Sequence, residues 1–150
     1  MNKARIVRIA RLVALRQQQR RIREAEHAHA QALLDQASKA RDAQRSDCED
    51  LDRFHDETLC QELDPVDLDL IGSARNRARE QLAEAESHVE EATEEADARQ
   101  VVLLEAYRSH RSLEMFHEKV RDAHHRDVAR AEQKELDDLA QRATGTRRPW

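Results

Sequence analysis

From Met1 to about Asp64 the chain holds neither Gly nor Pro, and nothing in that stretch can turn it back on itself. A second long stretch runs from about Asp67 to Ala143, with Gly72 as its one small interruption. An all-β or α/β domain needs Gly, Pro, Asn and Asp in clusters roughly every ten residues to reverse its strands. Two Gly and two Pro in 150 residues cannot supply them. The residues that dominate instead are Ala, Glu, Arg, Gln and Leu, which are strong helix formers.

The helices implied are long, and the core between them is thin. Leu, Ile, Val and Phe make up just under a fifth of the chain, and only four residues are aromatic. That is too little large apolar surface for a globular core of this length. It suffices for a two-helix seam, where each helix buries a narrow stripe. A composition this poor in apolar residues signals disorder when net charge is also high. Here 26 basic and 31 acidic residues leave a net charge of only −5, so paired helices are the better solution.

The break falls at Glu62-Leu63-Asp64-Pro65-Val66-Asp67. Pro65 lacks a backbone donor and disfavours helix at Asp64, and Asp64 or Asp67 can cap the second helix. Gly72 can extend the irregular region. A second break is expected at Thr144-Gly145-Thr146, leaving the tail Arg147-Arg148-Pro149-Trp150. The expected architecture is all-α, a single domain over residues 1–150: one antiparallel two-helix coiled-coil hairpin, with helix 1 about 3–61, a bend about 62–66, helix 2 about 67–143 and a flexible tail 144–150. At 1.5 Å per residue the helices are roughly 90 and 115 Å long.

Helix 2 carries the clearer heptad. Ala78, Leu82, Ala85, Val89, Ala92, Ala96, Arg99, Leu103, Ala106, His110, Leu113, His117, Val120 and His124 alternate at spacings of four and three. Beyond His124 the stripe slips to Val128, Ala131, Leu136 and Leu139. On helix 1, Ile22, Ala25, Leu33, Ala37, Ala40, Cys48, Leu51 and Phe54 are the expected face. Charge is uneven. Lys3, Arg5, Arg8, Arg11, Arg16, Arg20, Arg21 and Arg23 lead the chain with no acid among them, whereas residues 47–69 and 80–97 are strongly acidic. Folding at Pro65 gives a rod with a basic open end and an acidic bend and middle, whose two ends meet different partners.

Several chemistries have little basis in this sequence. His110, His117 and His124 recur every seven residues, about 10.5 Å apart, too far for two of them to share one ion. Three alternatives stand for them: polar seam positions that fix register, a pH-sensitive seam, or a metal site, the first being favoured. Cys48 and Cys60 lack metal spacing and lie about 18 Å apart on one helix, so they cannot pair. No phosphate loop, no nucleophile with a base and no pocket-forming architecture is present. No enzyme activity, cofactor or metal is therefore expected. Apolar runs of at most four residues do not form a membrane span. The absence of disulfide-rich Cys patterning fits an intracellular chain. The basic N-terminal helix admits an acidic protein socket, an anionic lipid surface through Ile6, Ile9, Leu12 and Val13, nucleic acid, or a merely solvated face. Missing stacking aromatics and an acidic chain argue against nucleic acid.

The segment Glu132-Gln133-Lys134-Glu135-Leu136-Asp137-Asp138-Leu139-Ala140-Gln141-Arg142-Ala143 resembles the C-terminal signature of the FliJ/YscO family, with HrpO in plant-associated systems. These are the stalk proteins of bacterial flagellar and type III export. The family's long antiparallel hairpin agrees with the fold expected above. The resemblance implies a non-enzymatic central stalk. Its termini-bearing end inserts into the pore of a hexameric export ATPase, it contacts the cytosolic ring of the export gate, and some members bind secretion chaperones. It also implies a cytoplasmic protein, peripheral at the inner face of the inner membrane and touching the membrane only through the export apparatus. Gln133, Lys134, Asp137, Asp138, Gln141 and Arg142 fall on the signature and are the expected pore-facing contacts. From the charge layout, Arg5, Arg8, Arg11 and Arg16 are expected beside them. The gate-binding patch of flagellar members has no residue-by-residue counterpart in Ile71 to Ala85. A coiled-coil scaffold that homodimerises through the same seam is the rival expectation. A monomer in solution favours the stalk and a dimer the scaffold.

Overall fold

The computed structural model describes residues 3–145, and among these there are two α-helices and no strand. Helix α1 spans Lys3–Leu59 and helix α2 spans Pro65–Gly145. The two pack against each other as an all-α hairpin, as the punctuation of the sequence implies.

The link, residues 60–64, has the expected length but lies two residues earlier than 62–66, and its chemistry is local. α1 ends in a tightened turn in which Cys60 N donates to Glu57 O and Gln61 N to Thr58 O, at 3.4 and 3.0 Å. Pro65 does not precede α2 but opens it, where a missing N–H costs nothing and a fixed φ suits the helix. Asp64 is the cap. Its carbonyl accepts from Asp67 N and Leu68 N, and its Oδ1 accepts from Val66 N at 3.5 Å. Asp67 sits inside the first turn, where a carboxylate complements the helix dipole. Gly72 lies within α2 and does not prolong the link. The C-terminal break also falls later than expected. Thr144 and Gly145 remain helical, with Thr144 Oγ1 donating to Ala140 O and Gln141 O. The expected tail at Arg147-Arg148-Pro149-Trp150 lies outside the described residues.

The helices make two units. One, residues 22–104, contains the bend. Its cross-helix pairs run antiparallel: Asp52 with Arg75, Arg45 with Glu86, and Glu26 with Arg99. The α2 heptad is buried or half-buried at every expected position from Ala78 to Leu103. Of the expected α1 face, Ala37, Cys48 and Leu51 lie in the seam, but Ile22, Ala25, Leu33, Ala40 and Phe54 do not. Ile22 and Phe54 are each 51% exposed, and Leu33 is nearly as open. The seam of α1 runs instead through His27, Ala30, Leu34, Ala37, Arg41, Gln44, Cys48, Leu51, His55 and Thr58. This stripe steps by three and four along its whole length, in phase with α2. It is a mixed stripe, because long polar side chains can bury their stems and keep their polar ends in water.

The second unit comprises residues 1–21 with 105–150, described here over 3–21 and 105–145. Ile9 and Val120 are buried in its seam, with Ile6, Val13, Ala106, Leu113, His117 and His124 half-buried. Because Ile6, Ile9 and Val13 face α2, the apolar side that suggested a lipid surface is largely covered. His110 is buried. From His125 to Gly145 every residue of α2 is exposed.

Candidate functional site

The unit that carries the two chain ends is basic on α1 and has two sides. Arg5, Arg8, Arg11 and Arg16 are all exposed. Arg16 Nη1 donates to Gln19 Oε1 at 3.1 Å, one helical turn on. A groove between the helices is lined by Leu12 and Arg16 from α1 and by Ser109, Ser112, Leu113 and Phe116 from α2. Arg5 and Arg8 precede Leu12 by seven and four residues, so they continue its face of α1. Lys119 does the same for Phe116 on α2. The lining therefore joins apolar Leu12, Leu113 and Phe116 to one cation, Arg16, while Arg5, Arg8 and Lys119 extend the same helix faces beyond it and Asp127 lies on the α2 face opposite Lys3.

On the opposite side Arg20 crosses the seam. Its guanidinium lies 4.9 Å from the ring centroid of Tyr107, and Nη1 lies 3.4 Å from His110 Nδ1. This stacked, hydrogen-bonded arrangement suits the planar fork of Arg. Beside it Arg111 Nη1 donates to Glu114 Oε2 at 2.8 Å. That hydrogen bond holds the Glu114 carboxyl below its usual range, against burial, with further help from the charges of Arg111 and Arg20. His110 thus fills the role of a polar seam position with a specific partner. Among the described residues no cluster of three metal-binding side chains exists.

The signature residues Gln133, Lys134, Asp137, Asp138, Gln141 and Arg142 are exposed on the last stretch of α2. Gln133 Nε2 donates to Asp137 Oδ1 at 2.8 Å, one turn on. One expectation about their placement fails. The Arg20–His110 pair sets the local register, which puts Lys3 opposite about residue 127. Glu132 then starts about 8 Å beyond the first described residue of α1. The signature and the basic run are consecutive along this unit, not side by side. The cause is length: α2 has 81 residues against 57 in α1.

The bend-containing unit presents different chemistry. Asp52 Oδ1 accepts from Arg75 Nε at 2.7 Å and lies 3.4 Å from Arg79 Nη2. The hydrogen bond from Arg75 leads in holding Asp52 below the usual carboxylate range. Glu26 is lowered chiefly by its 2.8 Å hydrogen bond from Arg23, with Arg99 of α2 adding to it. Arg99 is raised mainly by its hydrogen bond to Glu95, one turn earlier. A shallow groove here is lined by Asp47, Asp50, Leu51, Phe54, Ala74, Arg77, Ala78 and Gln81. Sequence reasoning placed Arg99 in the seam but missed the partners Glu26, Asp52 and Arg75. The available signal was opposite charge at positions flanking the heptad on the two antiparallel arms.

No helix among the described residues is long and apolar enough to cross a membrane. No curated protein and no solved structure matches the chain. A family model described as "Flagellar FliJ protein" matches residues 5–149, taking in the basic run, both helices and the signature segment. The chain belongs to the FliJ family, whose members are structural stalk proteins of flagellar and type III export.

Proposed function

We propose that this chain is the central stalk of a type III export ATPase, entering the pore of the hexameric ring with its termini-bearing unit and linking the ring to the cytosolic part of the export gate. Recycling of secretion chaperones belongs to the same reading. It works in the cytoplasm at the inner face of the membrane and carries out no chemistry of its own. The observation that carries this reading is the bare end of α2. Residues 125–145 stay helical and exposed, and they bear Gln133, Lys134, Asp137, Asp138, Gln141 and Arg142. A helix built to pack within its own chain would bury a stripe there.

Arg5, Arg8, Arg11 and Arg16 form a second contact band further along the same unit. Screened Coulomb attraction to acidic loops of a ring speeds association without demanding a rigid dry fit, which suits a shaft that must shift inside its bearing. ATP hydrolysis by the cognate export ATPase, measured with and without this protein, tests the proposal. Stimulation together with ring assembly is expected. The Arg8→Glu/Arg11→Glu variant should stimulate less, with the deficit widening at low salt. Equal stimulation by wild type and variant removes the basic band from the mechanism, and no stimulation by wild type returns the chain to the scaffold reading.

A further inference from the structure

We infer that the free protein forms a closed, salt-sensitive dimer in which the bare end of α2 of each copy lies in the cationic groove of the other. The inference concerns the same unit but does not depend on the ATPase reading, because it is read from mass and not from hydrolysis.

The exposed end of α2 is amphipathic. At 100° per residue, Val128, Glu132, Glu135, Leu136 and Leu139 share an arc of about 140° with Ala129, Ala140 and Ala143. Neither Lys nor Arg falls within that arc; Arg126, Arg130, Lys134 and Arg142 all point elsewhere on the wheel. Leu136 and Leu139 are 62% and 60% exposed, among the most open large apolar residues of the chain. Their face is therefore apolar and acidic, with both carboxylates beside the leucines.

The groove is its complement. Leu12 and Phe116 stand in it as exposed apolar side chains beside Arg16, and Arg5, Arg8 and Lys119 continue the same helix faces along its length, outnumbering Asp127 at the far end of α2's face. Among the described residues no ion pair engages these four cations. An acidic helix lying there gains apolar contact at the floor and opposite charge at the walls, the helix-in-groove mode of recognition.

Length selects a second copy as the occupant. Residues 125–145 make a helix of about 31 Å, and α1 from Lys3 to about Arg20, with the α2 stretch opposite, makes a groove of about 27 Å. The end cannot reach its own groove without breaking α2 near His125, where the helix is continuous. Two copies approaching end to end satisfy both grooves at once, a two-fold isologous arrangement that leaves no unpaired face to propagate. A scaffold dimer through the seam behaves differently, because its apolar contact persists in salt.

The experiment is sedimentation equilibrium of the intact chain over a range of concentrations, at about 20 mM and about 0.5 M salt. A mass near twice 17.4 kDa at low salt, falling towards one chain at high salt, is expected. Two charge reversals then test the pairing. Glu132→Lys/Glu135→Lys and Arg8→Glu/Arg16→Glu should each weaken self-association roughly tenfold or more. Both change exposed positions to good helix formers, so helicity by far-ultraviolet circular dichroism should stay unchanged. Mixed in equal amounts, the two variants restore opposite charge in both grooves, and the dimer mass should return. Three results overturn the inference: a monomer at every concentration in low salt, a dimer that neither reversal weakens, or variants that stay monomeric when mixed.

Discussion

Arg75 of α2 donates to Asp52 of α1 through a 2.7 Å hydrogen bond across the seam nearest the bend. Arg79, one turn further on, adds its charge to the same carboxylate at 3.4 Å. The pair ties the first turns of α2 to α1 where the link itself makes few bonds, and it does so with one Arg whose side chain is largely covered. Asp52 is held below its usual range, chiefly by that hydrogen bond. A carboxylate lowered in the folded state stabilises the fold above its unfolded pKa of about 3.9, and the contribution is lost as pH falls through the folded value. Asp52→Asn should therefore melt below wild type at pH 7, and the two melting curves should converge near pH 2. A difference in Tm that stays constant across that range assigns the effect to packing.

Ala96 is 3% exposed, and Ala30 on the other arm is nearly as covered. By the register of the Glu26–Arg99 pair the two stand almost opposite each other, so small side chains set the helix separation there. Leu at position 96 adds three carbons to a contact with no room for them. Ala96→Leu should cost about 1–3 kcal/mol and lower Tm accordingly, although it makes the seam more apolar. A rise in Tm means the seam is loose enough to take larger residues.

Much of the fold was legible because so few residues can punctuate this chain. The absence of Gly and Pro before Pro65 left helices as the solution, and the α2 heptad was readable because Leu82, Val89, Leu103 and Val120 mark it unambiguously. The α1 stripe was not. His27, Arg41, Gln44, His55 and Thr58 lie in the seam, while Ile22, Leu33 and Phe54 do not, so counting apolar residues selects a face rotated from the packed one. The position of Pro65 was clear but its role was not, since proline serves equally before a helix and at its first residue. At the candidate site, exposure of the basic run and of the signature followed from their charge. The overhang did not, because it depends on the difference between two helix lengths, and a local motif carries no information about that.

His110 is buried between the arms with Arg20 Nη1 3.4 Å from its Nδ1, while the same guanidinium lies over Tyr107. A polar seam residue fixes register at a cost in stability. His110→Leu should therefore raise Tm, by about 1 kcal/mol of added apolar burial, since Arg20 keeps Tyr107 and solvent. A fall in Tm shows that the Arg20–His110 contact contributes more than a leucine in its place.

The stretch from His125 to Gly145 buries no residue, so packing contributes little to its helicity. Part is intrinsic: Ala, Glu, Gln, Lys, Arg and Leu fill most of it. Part is local, as in the Gln133–Asp137 bond at 2.8 Å and the Thr144 bonds to the preceding turn. The rest is inherited, because the packed portion of α2 supplies the nucleus that an isolated segment of this length forms with difficulty. Such a helix frays from its free end while the seam stays closed. In about 0.5 M salt, where the chain is expected to be a monomer, amide hydrogen exchange should run at least about tenfold faster over residues 128–143 than over 82–120, rising towards Gly145. Under the same high-salt conditions, deleting residues 125–150 should leave the Tm of the remaining hairpin close to that of the full chain, because the deletion uncovers no seam position. The same deletion should abolish stimulation of the export ATPase. A truncated chain that is stable yet inactive identifies the bare helix as a part held ready for a partner, whereas a large fall in Tm means that residues 125–145 pack against the chain in solution.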